Sequence, residues 1–151
     1  MTFSRMLGTL LATITLSLSL SSCSATVSID PAAGSNDPLC AAVSVRLPET
    51  VDGLTRRTTD AQATAAWGTP AAVLFRCGLE PVTVSKLKCV TASNVDWLVD
   101  DSKAPNYRFI TFARKPAAEI IVDSNKASGV NVLDDLSLAV QQLPASDHCL
   151  G

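Results

Sequence analysis

Five cysteines and a single histidine hold most of the chemistry that this 151-residue sequence can offer. Four of them, Cys40, Cys77, Cys89 and Cys149, form an even set, which in an exported chain reads as two disulfides. Three connectivities are open to four cysteines. Cys77 closes one apolar, strand-like run and Cys89 opens the next, so the two are placed to face each other across a connection. Cys40 and Cys149 stand at the two ends of the folded part, where termini often lie close. The expected pairs are therefore Cys77–Cys89 and Cys40–Cys149. Neither a metal nor a cofactor is expected. There is no C-x-x-C pair, and His148 adjoins Cys149, so the two could not easily reach one ion.

Catalytic groups are as scarce. His148, between Asp147 and Cys149, is the one base open to a Ser–His–Asp site, and no Gly-x-Ser-x-Gly elbow accompanies it. Asp96, Asp100 and Asp101, with Asp134 and Asp135, could supply paired carboxylates. They read more simply as strand ends and a helix first turn, where acid offsets the dipole. No Gly-rich phosphate loop is present. Arg56-Arg57 and Arg114-Lys115 are small basic pairs, fit either for an anionic envelope polymer or for solvated turns. No catalytic residue is assigned, and the chain is not expected to be an enzyme.

The fifth cysteine carries a different chemistry. Arg5 leads an uncharged run from Met6 to Leu20. As a helix, its roughly fifteen residues would span about 22 Å, short of the ~30 Å hydrocarbon core. A short, charge-led apolar stretch ending in small residues reads as a signal peptide. Leu20-Ser21-Ser22-Cys23 then has the form of a bacterial lipobox: an aliphatic residue, two small ones, and a cysteine open to thioether acylation. The competing readings are an ordinary secretory signal and a retained single-span anchor. Residues 1–22 are thus expected to be a lipoprotein signal peptide, with Cys23 lipidated. Residues 23–37, rich in small and turn-forming types, are expected to be a flexible tether. Residues 38–151 remain as one globular domain.

Charge agrees with a lipid rather than an electrostatic anchor. Twelve basic residues stand against fourteen acidic ones, a net charge of −2. Loss of residues 1–22 removes only Arg5, leaving eleven basic residues, so there is no polybasic patch for anionic lipid and no excess for nucleic acid. A composition 47% hydrophobic and 17% charged can bury a core and argues against disorder.

The elements that must position these groups read as a two-layer α+β domain. Asp37-Pro38 supplies an N-cap and a first-turn proline for a helix through Leu47, which Pro48 stops. Residues 51–59 are polar and turn-like. Thr59 to Trp67 is ambiguous, alanine-rich but short. Beyond it the period shifts to two. Strands are expected at 71–78, at 89–100 with a break near Ser93-Asn94, at 107–114 and at 117–123. Leu133, Leu136, Val140 and Leu143 then repeat at helical spacing until Pro144. The expected fold is an antiparallel sheet of about four strands with two helices on one face, stapled by disulfides.

Trp97 shares one strand face with Val95 and Val99, and Trp67 stands at the turn Trp67-Gly68-Thr69-Pro70. Each indole fits a core position or an exposed shelf. Trp67, Trp97 and Arg57 are the candidate residues of a ligand or partner surface.

Asp37-Pro38-x-Cys40, Leu47-Pro48, Ala61-Gln62-Ala63-Thr64-Ala65-Ala66-Trp67-Gly68, Arg76-Cys77-Gly78, Cys89-Val90 and Val95-Asp96-Trp97 together resemble the actinobacterial domain of unknown function 3515 family, from about residue 37 to 149. That resemblance implies an envelope lipoprotein or membrane protein and carries over no catalytic residue. The expected function is a non-catalytic binding or scaffolding module, lipid-anchored on the outer face of the cytoplasmic membrane. Its partner would be another envelope protein or a cell-wall polymer. A binder of a small ligand or glycan on the sheet face near Trp97 is the alternative.

Overall fold

The computed structural model describes residues 25–149. The expected signal segment 1–22 and Cys23 lie outside the described residues. The chain forms α1 (Pro38–Ser44), β1 (Thr50–Val51), β2 (Leu54–Arg57), β3 (Thr64–Trp67), β4 (Val73–Leu79), β5 (Lys88–Ala92), β6 (Val95–Asp100), β7 (Asn106–Thr111), β8 (Ala117–Asp123) and α2 (Gly129–Val140). The strands make one antiparallel sheet in the order β1-β2-β3-β4-β8-β7-β6-β5.

Eight strands replace the expected four, and the reasons are local. The presumed second strand is a hairpin, β5–β6, whose two-residue turn Ser93-Asn94 holds both residues at positive φ (42° and 63°). Turns of this hand match strand twist. Asp52-Gly53 (φ 46° and 75°) closes β1–β2 the same way. All four residues of β3 are buried, so its sequence shows no inside–outside alternation.

Two meanders, β1–β4 and β5–β8, meet where β8 pairs with β4, with Phe75 opposite Ile120. The helices lie on one face, here the inner face. The Asp37 carboxylate accepts the Leu39 N–H at 2.8 Å to start α1, which buries Cys40 and Val43. The helix ends at Ser44 rather than Leu47; the Ser44 hydroxyl bonds back to the Cys40 carbonyl at 2.8 Å, a contact that weakens helix continuation. Helix α2 buries Leu133, Leu136 and Val140 against Trp97, Phe109 and Ile120 in the single core.

Both ends of the sheet reach α2. At the β1 end, the Asp52 N–H donates to Asp135 at 2.8 Å, and the Asp52 carboxylate accepts from the Ser128 N–H (2.6 Å) and the Asn131 amide (2.7 Å). At the β5 end, the Ser137 hydroxyl donates to the Ala92 carbonyl (3.0 Å) and the Gln141 amide to the Ser93 carbonyl (2.7 Å). The sheet therefore curls around the helix, gripping it from both sides.

The disulfides are Cys40–Cys77 and Cys89–Cys149, with Cα separations of 5.5 and 6.1 Å, correcting the expected pairing. Strand order explains the change. Cys77 shares the inner face with Val73 and Phe75, where α1 offers Cys40. Cys89 alternates with inward Val90 and so faces outward. It also sits on β5, four strand steps from β4, roughly 19 Å along the sheet.

The segment expected to be a tether is laid on the body from residue 25. Val27 bridges Thr59, its N–H donating to Thr58 at 2.9 Å, and the Ile29 N–H donates to Asp60 at 3.0 Å. The Gly34 N–H donates to the Gly78 carbonyl at 2.9 Å, a backbone approach only glycines permit: a Cβ at Gly34 would meet that oxygen at 2.8 Å.

Candidate functional site

An apolar opening lies between the start of α2 and the inner sheet face. Helix α2 begins at Gly129, whose missing side chain lets it approach the Phe109 ring; a Cβ there would lie 3.1 Å from that ring. Beside this first turn, β5, β6 and β7 present apolar side chains that the helix does not fully pack against. The result is a cavity of about 450 Å³ between Leu133 and Val130 of α2 and Val90, Ala92, Val99, Tyr107, Phe109 and Val122 of the sheet. Four of the six half-buried hydrophobic residues that flank the core gather here: Val90, Ala92, Val99 and Tyr107. Val130, 68% exposed, forms its lip. The polar lining consists of Lys88, Thr91, Ser124, Ser128 and the Tyr107 hydroxyl. Lys88 is exposed and has no salt-bridge partner among the described residues. An apolar concavity of this size with a few polar groups at its rim is the ordinary form of a small-molecule site.

The sequence-read surface residues are elsewhere. Trp67 is fully buried, its indole N–H donating to the Pro48 carbonyl at 3.0 Å. Trp97 is equally buried, and its indole nitrogen has no partner among the described residues. Neither makes a shelf, although Val90 and Val99, neighbours of Trp97 on the same face, do line the cavity. Arg57 is structural: its guanidinium donates to the carbonyls of Ala25 (2.6 Å) and Gly68 (2.8 Å) and to Thr69 (3.1 Å). Buried Arg114 likewise ties the carbonyls of Leu143 and Asn94, and burial pushes its pKa down, partly offset by Asp96.

The carboxylates do not converge on a reacting position. Asp134 accepts from the Ser93 hydroxyl (2.9 Å) and Asp135 from the Asp52 N–H. Asp100 accepts from the Ser102 N–H (3.1 Å), and hydrogen bonds from Ser102 hold its carboxyl below the ordinary value. Asp96 faces outward, where it accepts from the Thr91 hydroxyl (2.5 Å), the Cys149 N–H (3.0 Å) and the His148 ring (3.2 Å). Burial alone would raise the Asp96 carboxyl, but these bonds and the neighbouring imidazole hold it below the usual carboxylate range. No group of three metal-ligating side chains occurs among the described residues.

Sequence reasoning missed the cavity and one charged cluster. Arg76, Arg108 and Glu119 occupy outward positions on the adjacent strands β4, β7 and β8. Their signal was legible: a charge in the middle of each of three largely apolar runs.

These features define a disulfide-linked domain in which one antiparallel sheet wraps a helix and leaves part of its apolar face open. The chain belongs to the family described as Protein of unknown function (DUF3515), which matches residues 5–148. No curated protein and no solved structure matches the chain.

Proposed function

We propose that the protein is a non-catalytic, lipid-anchored binding module of the cell envelope that holds an apolar small molecule in the cavity beside α2. The single observation that carries the binding reading is the 450 Å³ apolar opening, which collects four of the six half-buried hydrophobic side chains packed against the core. Its walls favour a chain-like or ring-bearing hydrocarbon over a sugar, because the tryptophan that would stack a glycan is inside the core. The anchor and the extracytoplasmic side rest on Leu20-Ser21-Ser22-Cys23 and on the even, paired set of cysteines. An envelope protein or cell-wall polymer that delivers or receives the ligand is the corresponding partner. The test is displacement of a fluorescent apolar probe by fatty acids and isoprenoid alcohols. Val99→Trp, which fills the opening, should abolish probe uptake while the melting temperature holds. Equal uptake by Val99→Trp and the parent chain would refute the site.

A further inference from the structure

On the opposite face of the sheet, a buried carboxylate arranges two arginines for an external anion. Glu119 is 1% exposed, and one of its oxygens accepts from Arg76 Nε and the other from Arg108 Nε. Register places Arg76 directly opposite Glu119, and Arg108 opposite Ile121, one diagonal step away on the same face. Each guanidinium is thus fixed through its Nε edge, which leaves its terminal nitrogens pointing beyond the pair. The arginine side chains are 33% and 37% exposed. Arg76 Nη1 makes one long bond to the Asp30 carbonyl at 3.3 Å, and the terminal nitrogens of Arg108 have no partner among the described residues.

The surrounding surface is hollow. Two adjoining depressions, of about 250 and 320 Å³, share Arg76, Glu119 and Ile121. The larger is bounded by the β6–β7 hairpin end, which brings Asp100, Ser102, Lys103 and Asn106 to its rim. In the larger depression three cations (Arg76, Arg108 and Lys103) face two carboxylates (Glu119 and Asp100), so one positive charge is left over there; the third carboxylate, Asp30, lines the smaller one. A buried carboxylate needs only one guanidinium for neutrality, and a second adds desolvation cost unless something else uses it.

We propose that the larger depression binds a phosphodiester group carried on a hydroxyl-bearing molecule. A phosphodiester brings one negative charge, matching the surplus, whereas a phosphomonoester would bring about −1.5 to −2 at pH 7. Its two free oxygens suit paired guanidinium forks. Ser102 and Asn106 stand where hydroxyl groups of the carrier would lie. The site is independent of the apolar cavity, which opens on the other face.

The test uses the full chain in nonionic detergent micelles, titrated with glycerophosphoglycerol while the arginine Nε–H resonances and the heat are followed. A second arm dopes phosphatidylglycerol into the micelles. Saturable shifts of Arg108 in the first arm are expected and point to a soluble or polymeric diester. Shifts only in the second assign the diester to a lipid headgroup. Lys103→Glu, which alters no ion pair of the Glu119 clamp, should weaken binding at least tenfold without lowering the melting temperature. The proposal is overturned by silence in both arms, by undiminished binding to Lys103→Glu, or by glucuronate binding as tightly as the diester.

Discussion

The Asp96 carboxylate lies 3.0 Å from the backbone N–H of Cys149, so a side chain on β6 holds the residue whose sulfur closes the second disulfide. The same carboxylate accepts the Thr91 hydroxyl and faces His148, making it an anchor shared by β5, β6 and the C-terminal tail.

Acid should therefore loosen this corner. The Asp96 pKa is lowered in the folded state, so its contribution is present above the unfolded value of about 4 and fades as pH falls toward the folded one. Asp96→Asn should lower stability near neutral pH by about 1–3 kcal/mol and flatten the acid limb of a melting-temperature profile. A profile parallel to that of the parent chain would show that Asp96 does not govern the acid response.

Peptide mapping without reduction should recover Cys40 linked to Cys77 and Cys89 linked to Cys149. The bridges close loops of 37 and 60 residues, about 4 kcal/mol each in the loop-entropy account. Paired replacement of Cys40 and Cys77 by serine should cost several kcal/mol, because it also unpins α1 from the core. Recovery of a Cys77–Cys89 peptide would contradict the strand order itself.

Trp97 should behave as core. Trp97→Ala is expected to cost about 3–5 kcal/mol, the range for emptying a large aromatic site, and acrylamide should quench neither indole efficiently in the folded chain. A mild loss of stability with a large loss of ligand uptake would instead make Trp97 part of the cavity.

Much of this fold was legible where local chemistry decides it. Asp37-Pro38 marks the start of α1, and Ala117–Asp123 was bounded residue for residue by its apolar content and the preceding proline. Leu133, Leu136 and Val140 mark α2, although the helix starts at Gly129, ahead of the first of them, and ends at Val140, before buried Leu143. What stayed hidden depends on neighbours distant in sequence. Thr64–Trp67 has no alternation because both its faces are covered, and Ser93-Asn94 looks like a break until β5 and β6 are seen to pair around it. The cysteine partners follow from β8 entering between β4 and β7, which no spacing encodes. The cavity is subtler still. It opens between the first turn of α2 and the sheet, and its lining residues carry the same apolar signature as the core beside them.

The grip of the sheet on α2 bears on how copies of this protein tolerate crowding. A sheet ends in two strands with unpaired backbone groups, the usual seeds of aggregation between neighbours. Here one terminal strand, β1, is only two residues long. The other, β5, has the carbonyls beside its turn occupied by Ser137 and Gln141, and carries the charged Lys88 at its far end. Neither rim offers a long, bare ladder for a neighbouring chain to extend. For a molecule tethered in a plane at high local density, as the proposed anchor implies, such protected rims would keep each copy separate and its two faces free.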